Sequence, residues 1–275
     1  MHKQHNPVLG KEFQLSLQKA AVRWHTRMGL LYPGEEVWLR DKKLLTDFPE
    51  KNWFAILLYA ITGKDFTAAQ LHIMEAIWSI CLCFPDPRIW CNRVAALGGT
   101  AGTTGSLAIA AALAVSESEI YGQKPVRRAV QSLLDIENEL GSKKLPDILE
   151  EWKIKNKLIY GFGRPVALRD ERVVTLFYLL KYHNLHEEKF ICLAFDIEII
   201  LQQRNQRLFL NAGGIMGAIA CDFGLTAQEF YLFTCSAYSA GITACYLDAY
   251  QQPAGHFFPM PVGAVKYAGP EHRAW

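Results

Sequence analysis

The sequence predicts an all-α protein. Apolar side chains recur at helical spacing in several segments, capping signals precede two of them, and alternating strand patterns bounded by turn residues are nearly absent. In the segment TAAQLHIMEAIWSICLCF (67–84), one helical stripe carries Leu71, Met74, Ile77, Trp78 and Cys81.

Other segments support the same prediction. Capping boxes are formed by Thr67 with Gln70 and by Thr226 with Glu229, and the second opens a long apolar segment that ends near residue 252. The segment PVRRAVQSLLDIENEL (125–140) has a proline where the first turn of a helix tolerates it. FICLAFDIEIILQQ (190–203) predicts a helix, although its β-branched residues leave a strand open.

Composition restricts the classes of protein. The 275 residues, of which 51% are hydrophobic, suffice for one large domain or for a large and a small one. A net charge of +2 gives no reason to expect a nucleic acid or a membrane surface as partner. The longest apolar stretch (106–115) is too short to span a bilayer, and the N-terminus carries no apolar signal region. We therefore expect a cytoplasmic protein whose seven cysteines are reduced, mostly buried thiols.

Two motifs that suggest ligand chemistry are weak. GGTAGTTG (98–105) lacks the Lys-Ser/Thr pair of a phosphate loop, and no strand leads into it. Its glycines at 99, 102 and 105 predict one small-residue side of a helix that packs closely on another helix, within the chain or between subunits. His183 and His186 have the spacing of two metal ligands, but no third ligand motif accompanies them. No metal or cofactor is therefore expected.

Two segments predict a functional site. GFGRPVALRDER (161–172) combines two glycines, a proline and three arginines, which favours a sharply bent loop that binds an anion. LNAGGIMGAIACDFG (210–224) predicts a flexible, closely packed entry into a helix, and an ordinary helix–turn–helix joint is the alternative for this segment.

These segments resemble the citrate synthase family, in particular its short forms that are similar to citryl-CoA lyase. The resemblance rests on four stretches and a tail, spread over residues 35–275 in the family's order: PDPRIWCNRVAALGGTAGTTGSLAIAAALA, SEIYGQKPVRRAVQSLL, GFGRPVALRDERV, LNAGGIMGAIACDFGLTAQEFYLFTCSAYSAGITACYLDA and FFPMPVGAVKYAGP. No single motif is intact.

The resemblance implies an all-α fold with a large and a smaller helical domain and a cleft between them. On this basis we assign 1–34 to an N-terminal helical extension, 35–140 and 211–275 to the large domain, and 141–210 to the small domain. It also implies a homodimer, and a reaction that forms or cleaves a carbon–carbon bond between an acyl-CoA and an oxo-acid. In that chemistry an Asp removes a proton, two His act on the enol and the keto group, and arginines hold carboxylates.

The motifs depart from the family at the residues that carry this chemistry. Tyr121 and Arg164 stand at the two His positions, and Gly213 stands at the position of the Asp. Tyr238 replaces an arginine, whereas Asp170 and Arg172 fit the family's Asp-Pro-Arg pattern. Since glycine cannot act as a base, ordinary citrate synthesis should be nearly absent.

The resemblance therefore implies a rebuilt site. Its candidate catalytic residues are Tyr121, Arg164 and Tyr238, and its candidate substrate-binding residues are Arg172, Asn211, Asp170 and Arg169.

Two functions remain open. The first is a reaction on a CoA thioester or a polycarboxylate, by acyl transfer or by carbon–carbon bond formation or cleavage. The second is a non-catalytic relative that binds a ligand or pairs with an active homologue. In either case the expected ligand is a small anionic molecule, and CoA would enter as part of a substrate. Whether the chain is an enzyme is left undecided, with the first function favoured.

Overall fold

A computed structural model describes most of the chain, namely residues 25–48, 52–164, 167–204, 206–256 and 260–270. The chain divides into two units, residues 1–51 and residues 52–275, and each is described by itself. The all-α prediction is confirmed, because helices make up nearly all the regular structure of the second unit.

The first unit contains a small antiparallel sheet that the sequence analysis did not predict. Its strands are β1 (Gly29–Tyr32), β2 (Glu36–Leu39) and β3 (Lys42–Lys43), and the short helix α1 (Leu44–Asp47) follows them. The strands have at most four residues, too few to show an alternating pattern. A helical extension was predicted over residues 1–34. Residues 1–24 of it lie outside the described residues, and the remaining part contains the strand β1 instead of a helix.

The second unit is built from helices joined by short connections. They are α2 (Trp53–Thr62), α3 (Ala68–Ala76), α4 (Trp90–Thr100), α5 (Gly105–Val115), α6 (Gln123–Leu140), α7 (Leu145–Ile154), α8 (Glu171–Tyr182), α9 (Lys189–Gln203), α10 (Ala212–Asp222), α11 (Ala227–Thr234) and α12 (Ser239–Tyr250). The segment 190–203, for which a strand was left open, is helical in α9.

Helix α10 lies at the centre of this unit. Almost every residue from Ala212 to Cys221 is buried, and the helix packs against α6 and α9. Its small residues allow this packing. A β-carbon on Gly217, for example, would lie 3.2 Å from the backbone nitrogen of Val130 in α6. The N-terminus of α10 is thereby held at a fixed place inside the unit.

Both predicted capping boxes are present, at the starts of α3 and α11. The helix that begins at Thr67 continues beyond α3 as a π-helix over Ile77–Leu82. In a π-helix each backbone N–H bonds to the carbonyl five residues earlier, and such segments often occur at functional sites.

The segment that begins at Thr226 forms two helices rather than one. Helix α11 ends at Thr234, and α12 begins at Ser239 with Tyr238 as the residue before its first turn. The sequence did not signal this interruption, because no glycine or proline lies within it. The break directs the chain so that Tyr238 is buried.

The prediction that the glycines of GGTAGTTG share one side of a helix is wrong. Gly99 lies in the last turn of α4, Gly105 begins α5, and Gly102 lies in the turn between them with φ +69°, a left-handed conformation that favours glycine. Gly99 does make the close helix contact that was expected. A β-carbon there would lie 2.9 Å from the nitrogen of Tyr250 in α12, so this contact is within the chain.

Candidate functional site

The glycine-containing loop is fixed against the start of α10. The Gly163 nitrogen donates to the Phe209 carbonyl at 2.7 Å, and the Asn211 nitrogen donates to the Gly161 carbonyl at 3.0 Å. Gly161 has φ +94°, and a β-carbon there would lie 2.6 Å from Cα of Gly214. Only glycine fits this conformation and this close approach, so the local sequence places the loop beside the N-terminus of α10.

Asn211 caps α10 and fixes the same loop. Its Oδ1 accepts a hydrogen bond from the Gly214 nitrogen at 3.1 Å, and its Nδ2 donates to the Gly163 carbonyl at 2.7 Å. Both ends of the amide are thus engaged in structural contacts. Asn211, predicted as a substrate-binding residue, positions the site in this structure.

Asp170 and Arg172 form a buried ion pair with two hydrogen bonds. Arg172 donates from Nε to Oδ1 at 2.8 Å and from Nη2 to Oδ2 at 2.7 Å. Its Nη1 also donates to the carbonyl of Cys81, at the end of the π-helix, at 3.1 Å. The Asp170 side chain is 1% exposed, whereas the Arg172 side chain is 22% exposed, so the arginine is the more accessible member of the pair.

The environment of Asp170 keeps it ionised. Burial by itself raises the pKa of this carboxyl, but the hydrogen bonds from Arg172 and from the Ala212 nitrogen outweigh burial, and the pKa lies below its usual range. A carboxylate that is already bonded in this way is a poor general base. Asp170 therefore serves to hold Arg172 in place.

Arg164 pairs with the first residue of α8. It donates from Nη1 to Oε2 of Glu171 and from Nη2 to Oε1 at 3.3 Å, and Nη1 also reaches the Arg169 carbonyl at 3.4 Å. The Arg169 side chain lies over the ring of Phe209, with its guanidinium carbon 4.4 Å from the ring centroid. Arg164 and Arg169 therefore belong to the same loop surface.

Tyr238 is a buried tyrosine beside Arg172. It is 7% exposed, and its hydroxyl forms no hydrogen bond with a described residue; the fully buried polar side-chain atoms without a partner are instead Nε1 of Trp78 and Nδ1 of His186. Burial and the neighbouring thiols of Cys91 and Cys81 raise the pKa of Tyr238, and the nearby guanidinium of Arg172 only partly opposes this rise. The phenol is therefore a protonated hydrogen-bond donor at neutral pH.

Tyr121 lies apart from the other predicted site residues: no described contact joins it to any of them. Its ring lies edge-on to Trp90, with centroids 6.2 Å apart, and the side chain is 42% exposed. Its φ of +55° is unusual for a bulky residue. The turn is fixed on either side of it, because Gln123 donates its backbone N–H to the Ser116 carbonyl at 2.8 Å. Strain of this kind is common at functional sites.

Gly213 supplies no side chain at the position where the resemblance implies a base. A β-carbon there would meet only Oδ1 of Asn211, at 3.2 Å, among the described atoms. The thiols near Tyr238 do not replace the missing base, because burial raises the pKa of Cys81 to about 12 and that of Cys91 to about 11. All seven cysteines are free, and four of them are buried.

The two histidines of the HxxH motif do not converge on a metal. Nε2 of His183 lies 2.8 Å from Nδ1 of His72 in α3, whereas His186 packs against Phe177 and lies near Glu187. Within the described ranges, no group of three potential ligands could hold a metal ion. In the same ranges, no helix is both long and apolar enough to cross a membrane.

The sequence analysis missed two features of the site. Cys81 contributes a carbonyl oxygen, which any residue could supply, so the sequence carries no signal for it. Glu171 contributes the carboxylate that binds Arg164. The sequence contains only an indirect sign of this contact. The run Arg-Asp-Glu-Arg (169–172) shows two neighbouring carboxylates close to several arginines, but it does not show which arginine each carboxylate binds.

The arginines of the loop and the protonated Tyr238 lie in an all-α unit. The fold is citrate synthase-like: citryl-CoA lyase from Hydrogenobacter thermophilus superimposes with a TM-score of 0.79 at 18% sequence identity, covering 92% of this chain and 97% of that one. The predicted resemblance is thus confirmed at the level of the fold.

Two further solved structures share this fold. An ATP citrate lyase from Methanosaeta concilii gives a TM-score of 0.75 at 17% identity, over 98% of this chain and 46% of that chain. The citrate synthase from Thermotoga maritima MSB8 gives a TM-score of 0.62 at 16% identity, over 81% of this chain and 59% of that chain. No family model and no curated protein matches the sequence.

Proposed function

We propose that this chain is a diverged lyase or acyltransferase of the citrate synthase-like fold, which acts on a polycarboxylate or on a CoA thioester. The observation that carries the proposal is the position of Tyr238, a residue that is 7% exposed, whose protonated hydroxyl forms no hydrogen bond with a described residue and which feels the charge of Arg172. A phenol that no protein group engages is free to donate a hydrogen bond to a ligand oxygen.

Arg172 supports the same assignment. Three of its five N–H groups donate to Asp170 and Cys81, and two remain for a ligand. Asp170 and the π-helix carbonyl fix the guanidinium, so little side-chain entropy is lost when a carboxylate binds. Arg172 would hold a substrate carboxylate, and Tyr238 would donate to an oxygen that becomes negative during the reaction.

The solved relatives indicate the chemical class of ligand. One of them is named a citryl-CoA lyase, and an ATP citrate lyase from Methanothrix soehngenii was solved with citrate and coenzyme A. Polycarboxylates and CoA thioesters are anions that suit a site with arginines at its edge. The reaction proposed for this chain does not begin with proton removal by residue 213, since Gly213 has no side chain to accept the proton.

A non-catalytic binding protein is the second candidate. It is favoured by the engagement of Arg164 with Glu171 and of both ends of the Asn211 amide with backbone groups. These contacts use up groups that the resemblance assigns to substrate. In this alternative Tyr238 and Arg172 bind a ligand without changing it.

One series of experiments separates the two candidates. Thermal shift with citrate, citryl-CoA and a panel of acyl-CoA esters identifies ligands, and mass spectrometry then detects products. For an enzyme, Tyr238→Phe should lower turnover by about 10²–10³, as expected for the loss of one hydrogen-bond donor to a developing negative oxygen, while ligand affinity changes less than about tenfold. Tyr178→Phe, an exposed tyrosine on α8, is the matched control.

The outcomes differ clearly. Binding without any product in the parent protein supports the second candidate and rejects the first. If no compound of the panel binds to the parent protein, both candidates are rejected.

A further inference from the structure

The Arg164–Glu171 pair has the geometry of a bound ligand. Both guanidinium nitrogens Nη1 and Nη2 donate to the two carboxylate oxygens of Glu171, which is the two-point arrangement that arginine adopts with free carboxylates. Arg164 is 21% exposed, whereas Glu171 is 71% exposed. The carboxylate therefore approaches Arg164 from the solvent side, as a ligand would.

The charges of this loop explain why Glu171, rather than Asp170, can be displaced from Arg164. Arg164 and Arg172 face two carboxylates, and Nη1 of Arg164 lies 3.8 Å from Oδ1 of Asp170. Asp170 is held by Arg172 and by the Ala212 nitrogen and is 1% exposed. Glu171 is largely hydrated, and exposed ion pairs are weak. An external anion can therefore replace Glu171 but not Asp170.

We propose that Glu171 is an internal competitor, which occupies the anion-binding side of Arg164 and leaves when a ligand carboxylate binds there. This inference rests on the proposed function, because it concerns the same loop and the same class of ligand. According to this inference, Glu171 determines how tightly the site binds carboxylates. Neither the fold nor the resemblance gives this role to the position.

The exchange requires little rearrangement. Arg164 stays in place through its contact with the Arg169 carbonyl, and the Arg169 side chain is itself held over Phe209. Once released, Glu171 remains in the first turn of α8, where the helix dipole stabilises a negative charge. The site is thus preorganised for a carboxylate whether it comes from Glu171 or from a ligand.

The test measures citrate binding by isothermal titration calorimetry at fixed, low ionic strength. Glu171→Gln removes the competing charge and keeps the shape of the side chain. It should tighten citrate binding about two- to fivefold, as expected for the loss of an exposed ion pair. Arg164→Gln should weaken binding. The double variant should bind as Arg164→Gln does, because Glu171 acts only through Arg164.

The matched control is Glu150→Gln, which opens the comparable Arg204–Glu150 pair elsewhere in the same unit. It changes the net charge of the protein equally, so it measures the effect of overall charge. An equal gain in affinity for Glu150→Gln and Glu171→Gln overturns the inference.

The remaining results are also decisive. If the parent protein binds citrate and Glu171→Gln leaves the affinity unchanged, the internal competitor is rejected and the proposed function stands. Binding that appears only in Glu171→Gln supports the competitor strongly. If neither the parent nor Glu171→Gln binds citrate, the anion site is rejected together with this inference. Circular dichroism and thermal melting of each variant verify that the fold is retained.

Discussion

The carboxylate of Asp170 accepts the backbone N–H of Ala212 at 3.0 Å, so one side chain joins the arginine-containing loop to the first turn of α10. The same carboxylate caps α8 by accepting the Arg172 nitrogen at 3.2 Å. Two helix starts and one guanidinium therefore share a single buried anion. Asp170 therefore links the loop, α8 and α10 at one point.

Removing the charge of Asp170 should destabilise the protein. Asp170→Asn leaves the guanidinium of Arg172 partly buried without its counter-charge and weakens the contact to Ala212. We expect a loss of about 2–3 kcal/mol in the free energy of unfolding. Urea denaturation measures it, and Glu119→Gln, in an exposed ion-pair cluster, is a control that should change little. Equal stability of Asp170→Asn and the parent would contradict the role of this pair.

The stabilisation by Asp170 should disappear in acid. Because the folded-state pKa of Asp170 lies below its ordinary value of 3.8, the unfolded chain binds the proton first as the pH falls. The contribution is thus complete above about pH 5 and is lost as the pH drops through the lowered pKa. The stability difference between the parent and Asp170→Asn should therefore be constant near neutral pH and shrink below about pH 4. A difference that does not vary with pH would show that charge is not the cause.

Ordinary citrate chemistry should be absent. Gly213 cannot accept a proton, and the loss of a general base typically lowers a rate by about 10²–10⁴. We expect no release of CoA from acetyl-CoA with oxaloacetate above a trace in a thiol assay, and no release of oxaloacetate from citryl-CoA above a trace in an assay coupled to reduction of the oxaloacetate. A turnover of a few per second, close to the roughly 10 per second of typical enzymes, would refute this prediction.

The chain should form a symmetric homodimer, with the exposed apolar side of α5 at the interface. Leu107 is 67% exposed and Val115 is 36% exposed on this helix, and the residues between them include several alanines. Leu107→Glu should shift the mass in analytical ultracentrifugation from twice the 31.1 kDa chain towards the monomer. Val174→Glu, at an exposed position on α8, should not. A parent protein that is monomeric at micromolar concentration would rule out the dimer.

Gly99 and Gly105 should respond in opposite ways to alanine. A β-carbon on Gly99 would lie 2.9 Å from the Tyr250 nitrogen and still closer to the Tyr246 carbonyl oxygen. Gly99→Ala should therefore cost about 1–3 kcal/mol through overpacking of α4 on α12. On Gly105 the added carbon would meet the Tyr246 ring at 3.5 Å, an ordinary contact. Gly105→Ala should be neutral or slightly stabilising in thermal melting, and a reversed order would disprove the packing of α4 on α12.

The sequence by itself determined the helical class, the two capped helix starts and the place of the loop. The capping boxes at Thr67 and Thr226 need only a partner three residues away, and Gly161 and Gly163 adopt conformations that depend on their own missing side chains. These are local effects, so local patterns predict them. The order of the motifs along the chain was also sufficient to predict the fold.

Only the tertiary structure decided which partner each polar group takes. Arg172 was expected to face a substrate, but its donors reach Asp170 and the carbonyl of Cys81, which lies far away in the chain. His183 pairs with His72 rather than with His186, and Gly99 packs against α12 rather than along its own helix. A charged or polar side chain forms its bonds with whatever the packing of distant helices brings near, and that packing is set by the whole buried core rather than by any short segment.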